Sequence, residues 1–288
     1  MNPTAPQPLS IDALLGGSWR LFRANPTILV PIAVPFLLVI PLMVPFALLL
    51  TWAVAHPKAQ LDDYAAGLVL ACVLGAAVTV LLCCLGTAAA FAMANALWTR
   101  GAASVGAGVS TTLRRIGHLI VASVCFVVLE ILALVLAIPT LTASVWALLL
   151  FSIYVIPAVT ADRNGIEAFR ESFALVRRWP GQSALTILIL VALQYAISLV
   201  FAPFSLAFGL FGYGPSSGVP PQMPPVTLLV VGGACIALAF LLNIAYYGFF
   251  AIGLTGMYRS LRGLAEHADP GQPGVALPTE VAPGRAEG

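Results

Sequence analysis

Charge is what this chain most lacks: only 8% of its 288 residues are Asp, Glu, Lys or Arg, against 60% hydrophobic, and its mean hydropathy is +1.01. A soluble domain carries about 25% charged residues, so that class is excluded and lipid is the solvent for most of the chain. Lysine is almost missing, and with Lys58 alone there is no Walker-type phosphate loop. The formal net charge of +2 comes without a dense basic patch of the kind nucleic acid requires. His56, His118 and His267 are isolated, with no H-E-x-x-H and no carboxylates at zinc-ligand spacing. Cys72, Cys83, Cys84, Cys125 and Cys235 all fall inside apolar stretches and read as small packing residues, not as a disulfide framework or a metal set. Gly214, Ser216 and Gly218 spell G-x-S-x-G, but in a Pro/Gly-rich loop that offers no strand, sharp turn and helix to make a nucleophile elbow. No catalytic residue, metal site or cofactor is expected, and the chain reads as non-enzymatic.

What the chain has in quantity is long apolar stretches. A helix crosses the hydrocarbon core with about 20 mainly apolar residues. Six stretches reach or approach that length, at 27–55, 65–97, 116–138, 142–161, 183–210 and 226–258. The fold class expected is therefore all-α, a polytopic membrane protein of six transmembrane helices. Residues 1–26 are expected to form a cytoplasmic N-terminus with an interfacial helix, 27–262 the six-helix domain and 263–288 a disordered cytoplasmic tail. The first apolar run starts late and is too long for an h-region, so the N-terminus reads as uncleaved.

The basic residues fix an orientation. Arg20, Arg23, Arg100, Arg114, Arg115, Arg163, Arg170, Arg177, Arg178, Arg259, Arg262 and Arg285 lie on one side of the six spans, and only Lys58 lies on the other. Cytoplasmic loops accumulate Lys and Arg, which places both termini inside and the chain in the inner, or cell, membrane.

The same pattern, S-x-x-L-x-R, precedes spans one, three and five: Ser18, Leu21, Arg23; Ser110, Leu113, Arg115; Ser172, Leu175, Arg177. In the first and third copies Trp19 aligns with Phe173 and Pro26 with Pro180. Three hairpins of unequal length, each led by a cytoplasmic amphipathic helix, account for the repeat. The third copy predicts the clearest helix. Asn164 and Glu167 stand at capping-box spacing, Ile166, Phe169, Phe173 and Val176 share one face, and Glu167, Arg170, Glu171, Arg177 and Arg178 share the other. Such a helix is expected in the headgroup layer with its aromatic face down. Arg23, Arg115, Arg170, Arg177 and Arg178 are then candidates for binding anionic lipid or a protein partner, against the plainer role of topological anchors.

The stretch Ile11 to Pro26, and above all Tyr154 to Pro180 with its A-x-x-x-S-x-x-L-x-R-x-x-P from Ala168, resembles the membrane domain of some bacterial glycerophosphodiester phosphodiesterases and of related six-helix inner-membrane proteins. In that family catalysis belongs to a separate soluble barrel. The resemblance therefore implies a connection with lipid and carries no catalytic residues to this chain.

Polar residues inside the spans are the remaining candidates. Glu130 sits at mid-bilayer depth in span three, where a carboxylate is costly. It reads either as a proton-relay or substrate-coordinating group or as a neutral carboxyl hydrogen-bonded to Gln194 or Asn243. Span two carries Gly67, Ala71, Gly75, Thr79, Cys83 and Thr87 at four-residue spacing, a groove against which another helix is expected to pack. Pro31, Pro35, Pro41 and Pro45 concentrate lost backbone bonds on one side of span one. The leading expectation is a protein that binds or organises membrane lipids, or docks a lipid-related partner, without nucleic acid. The competing class is a small permease that uses Glu130 and the proline-rich first span.

Overall fold

The computed structural model describes residues 8–35, 37–38, 48–49, 63–137, 143–212 and 225–268. Every regular element among them is a helix. α1 is Ile11–Ala24 and leads into a short 3-10 turn, Pro26–Leu29. There follow α2 (Asp63–Arg100), α3 (Val105–Arg114), α4 (Ile116–Ala137), α5 (Ala143–Ser152), α6 (Val155–Ala161), α7 (Gly165–Arg178), α8 (Pro180–Gly212) and α9 (Pro225–Ala268). Five stretches are long and apolar enough to cross a membrane: Ala66–Arg100, Ile116–Val135, Ala143–Ala161, Pro180–Leu199 and Ala237–Glu266. They make this a multi-pass membrane protein. Most of the first expected span, with Pro41 and Pro45, lies outside the described residues.

The termini of the short helices follow local chemistry. Ser10 caps α1 by accepting from the Ala13 amide at 3.3 Å, and Ser104 caps α3 by accepting from Ala107 at 3.2 Å. At α7 the Asn164 amide donates to Glu167 Oε2 at 3.3 Å, the capping-box contact expected from the sequence. α2 stops at Gly101, whose φ of +73° turns the chain where an L side chain would be strained while its amide still reaches the Leu97 carbonyl at 3.0 Å.

The chain divides into two units, 1–28 with 91–186 and 251–288, and 29–90 with 187–250. In the first, α4, α5, α6 and α7 pack on one another, and the core is built around Phe91, Met93 and Leu97 of α2, Tyr154, and Met257 and Leu261 of α9. α7 can begin against the backbone of α4 because residue 165 is glycine; a Cβ there would stand 2.6 Å from the His118 carbonyl oxygen. Outward from this core α4 presents Val124, Val128, Ile131, Leu132 and Val135, all exposed, a surface suited to hydrocarbon and not to water.

The apolar stretch 143–161 is interrupted at Ile153 and Tyr154. Breaking a helix in lipid orphans backbone groups that no water can satisfy. Ser172 of α7 meets that need: its hydroxyl donates to the Phe151 carbonyl at 2.6 Å and accepts from the Tyr154 amide at 3.2 Å. Helix α9 runs on past Arg262 to Ala268, with Leu264 buried, so residues 263–268, expected at the start of a disordered tail, are helix. Amphipathic spacing of Leu261 and Leu264 against the core carries it beyond the apolar run.

In the second unit, the close approach along α2 is at Gly86, where a Cβ would stand 2.1 Å from the Pro31 carbonyl oxygen. The expected groove is not continuous, since Gly67 and Ala71 are exposed while Gly75 is buried. A pyrrolidine-flanked carbonyl needs the smallest residue opposite it, and position 86 supplies that off the four-residue stripe. Gln194 and Asn243 pair with each other, the Gln194 amide donating to Asn243 Oδ1 at 3.0 Å, and Tyr246 donates its hydroxyl to the Leu190 carbonyl at 3.1 Å.

Candidate functional site

Among the described residues the ion pairs of the first unit gather at one place, where the link between α6 and α7 meets the C-terminal part of α9. Tyr258, Arg262 and Glu266 recur every fourth residue and so share one face of α9. Arg262 is the hub. It grips Asp162 with both terminal nitrogens, Nη1 to Oδ1 at 2.9 Å and Nη2 to Oδ2 at 3.1 Å, and its Nε donates to Glu266 Oε1 at 2.9 Å. The same Nε lies 3.5 Å from Glu171 Oε1. Glu171 also accepts from the Tyr258 hydroxyl at 3.0 Å and pairs with Arg163. Bidentate geometry and charge assistance make the Arg262–Asp162 contact the strongest of the set.

Burial alone would raise the Asp162 carboxyl, but the hydrogen bond and charge of Arg262, with Arg163 and Arg115, outweigh it and hold this carboxyl below its ordinary value. For Arg163, partial burial works against the charged form, and the hydrogen bond and charge of Glu171 more than restore it. Together these contacts tie α7 and the α6–α7 link to the end of α9.

Beside the hub is a recess of about 180 Å³, lined among others by Asn95, Thr99, Arg259, Asp162, Arg262 and Glu266. Arg259 is half-buried, and its Nη1 donates to Asn95 Oδ1 at 2.6 Å. No carboxylate among the described residues pairs with it, because Asp162, Glu171 and Glu266 are all turned to Arg262 or Arg163.

The residues singled out in the sequence fall into three groups. Arg23, Arg170, Arg177 and Arg178 are exposed, and Arg178 lies over the Trp179 ring at 4.9 Å from its centroid. Arg115 instead turns inward and donates from Nη1 to the Val159 carbonyl at 3.1 Å, closing the C-terminal end of α6. Glu130 is exposed on α4, and among the described residues it has no hydrogen-bond partner; Gln194 and Asn243, its expected partners, are paired with each other.

The three copies of the pattern do not place their serines alike. Ser18 and Ser172 are wholly buried, but Ser110 is exposed; the buried hydroxyl of α3 is Thr112, two positions on, with Gly108 one turn before it. The buried pairs at i, i+4 are thus Leu14 and Ser18, Gly108 and Thr112, Ala168 and Ser172, so the second match of letters does not place its serine as the other two do. On α7 the sector packed against the rest of the unit is not the aromatic one, and Val176, expected to share a face with the aromatic residues, lies in it. Gly165, Ala168, Ser172, Leu175 and Val176 pack inward, while Ile166 and Phe173 are exposed. Small residues pack backbone to backbone, leaving the bulky side chains outside.

The hub residues Asp162, Glu171, Tyr258, Arg259, Arg262 and Glu266, with Asn95, were not picked out as a site from the sequence. The i, i+4, i+8 series on α9 was a visible signal, but Asp162 lies 100 residues from Arg262 and only the fold joins them. Comparison of the chain with protein-family models, curated proteins and solved structures gave no match, so its function rests on this geometry and on the sequence alone.

Proposed function

We propose that this is a non-enzymatic inner-membrane protein of six spans in three hairpins, with both termini cytoplasmic, whose surface helices bind anionic lipid at the cytoplasmic face and organise it or present it to a lipid-related partner. The observation that carries the reading is a shared device on α1 and α7. In each, a wholly buried serine, Ser18 or Ser172, is followed by an exposed aromatic, Trp19 or Phe173, with an exposed arginine four residues later, Arg23 or Arg177. At about 100° per residue, Phe173, Ile166, Arg177 and Arg170 fall within about 60° of arc on α7, so these two arginines border the apolar residues instead of lying on the opposite face expected for them. An apolar strip edged by guanidinium groups suits the boundary between acyl chains and anionic headgroups.

The positive-inside distribution of arginine supports the orientation, and the resemblance to phosphodiesterase-associated membrane domains points the same way as to lipid. Native mass spectrometry of gently extracted protein tests the reading against a variant with Arg170, Arg177 and Arg178 all changed to Gln. Selective retention of anionic lipid by the parent, lost in the variant, is the expected result. Equal and unselective retention by both overturns it.

A further inference from the structure

We infer that the recess beside Arg259 is a binding site for a phosphate-type oxyanion, supplied either by a lipid headgroup or by free phosphate. The first argument is the distribution of donors. A guanidinium has five N–H donors in a fixed fork. Arg259 spends one of them on Asn95 Oδ1, at 2.6 Å. The Asn95 amide, with its oxygen so engaged, turns its NH₂ donors away from that contact, and no acceptor for them is found among the described residues. Two adjacent groups lining the recess therefore offer donors without acceptors.

The second argument is the way the acidic groups are committed. Asp162 is held by both terminal nitrogens of Arg262, Glu266 by its Nε, and Glu171 by Tyr258 and Arg163. Each carboxylate is hydrogen-bonded to another partner, so Arg259 is left half-buried with no carboxylate at ion-pair distance, and the charges of Asp162 and Glu266 in the recess lining reach it only from farther off. Burial and the neighbouring Arg262 charge work against the Arg259 guanidinium, its one hydrogen bond is to a neutral amide, and an anion brought into the recess relieves that cost. Phosphate oxygens accept from a guanidinium fork in bidentate fashion, and Arg is the side chain suited to that geometry.

The third argument is room. A water takes about 30 Å³ of liquid volume, and the recess of about 180 Å³ holds several waters or one group of phosphate size. Its lining comes from α2, the α6–α7 link and α9; Arg262 ties the link to α9 and the Arg259–Asn95 contact ties α9 to α2, so the donors are preorganised. This site is separate from the exposed arginines of α7 and does not rest on their role.

The test uses the full-length protein in a neutral detergent, delipidated, with thermal unfolding followed while inorganic phosphate or dioctanoyl phosphatidic acid is titrated in and chloride holds ionic strength constant. Saturable stabilisation by at least one of the two probes is expected. Arg259→Gln should weaken the apparent affinity roughly tenfold to a hundredfold, as loss of charge-assisted hydrogen bonds implies. Arg259→Lys keeps the charge without the fork and should fall between, which guards against a Gln variant that simply misfolds. Response to the lipid alone assigns the source to a headgroup, and response to phosphate alone assigns it to the free ion. The variant lacking Arg170, Arg177 and Arg178 should respond as the parent does, so failure at the surface helices and failure here are told apart. No saturable response to either probe in the folded parent, or an undiminished response in both Arg259 variants, overturns the proposal.

Discussion

Arg262 holds both carboxylate oxygens of Asp162, at 2.9 and 3.1 Å, across 100 residues of sequence. This contact joins the end of α9 to the α6–α7 link, and its strength should depend on pH in a defined direction. The folded state holds the Asp162 carboxyl below its ordinary value of 3.8. Its contribution is therefore fully present above 3.8 and is lost as pH falls through the lower folded value. Because the Asp162 side chain is 48% exposed, solvent screening limits the contact to about 1 kcal/mol. Asp162→Asn should lower the unfolding midpoint in detergent at neutral pH, and the gap from the parent should close on acidification below the carboxylate range. A gap that persists in acid would show that the contact is not ionic.

Ser172 should matter for stability far more than its place in a surface pattern suggests. It serves both the Phe151 carbonyl and the Tyr154 amide at the break between α5 and α6. Removing it leaves buried backbone groups unpaired, at a cost of about 1–3 kcal/mol. Ser110, the apparent equivalent, is exposed and donates only to the Ala107 carbonyl within its own helix. Ser172→Ala should shift the denaturant midpoint markedly, and Ser110→Ala should stay within about 0.5 kcal/mol of the parent. Equal effects would refute this difference between the two copies.

Trp98 lies between glycines of two helices in the first unit. A Cβ on Gly256 would stand 2.6 Å from its Cζ2 atom, and one on Gly17 would stand 3.0 Å from Cη2. The ring has little freedom to yield, since its Nε1 donates to the Ile252 carbonyl at 2.8 Å. Gly256→Ala is expected to destabilise by about 1–3 kcal/mol through overpacking. Gly16→Ala, with nothing within 4 Å of the added Cβ, should be neutral or stabilise by about 0.5–1 kcal/mol. Thermal unfolding of the two variants side by side checks the contrast.

How far the fold could be read in advance differs from element to element. The spans of α2, α4 and α8 were legible because a lipid-facing helix shows its hydrophobicity residue by residue, whatever it packs against. The start of α7 was legible because Asn164 and Glu167 are a local device. Its buried sector was not, since Gly165, Ala168 and Ser172 are inconspicuous beside Ile166 and Phe173, and hydropathy ranks the aromatic face as the one to bury. In a membrane protein that ranking loses its force: bulky apolar side chains are content in lipid and small ones go inside. The hub around Arg262 was hidden for a different reason. Tyr258, Arg262 and Glu266 show their common face in sequence, but which charges answer them depends on where α6 and α7 end, a tertiary fact.

The pairing of exposed aromatics with arginines makes a last prediction about depth. If Trp19 and Phe173 both sit at the level of the upper acyl chain, they are interchangeable as reporters of that depth. Their equivalence is geometric: each follows a wholly buried serine and precedes an exposed arginine by one turn. Reconstituted into vesicles whose lipids carry bromine close to the headgroup, the parent should lose a share of its tryptophan fluorescence that Trp19→Phe removes. Adding Phe173→Trp to that variant should restore it. Bromine near the chain ends should quench neither position, because a helix with Arg20 and Arg23 on α1, or Arg170 and Arg177 on α7, cannot sink past the headgroups without burying charge. If Trp19→Phe leaves the shallow quenching unchanged, α1 does not lie in that layer, and the lipid-surface reading of both helices fails with it.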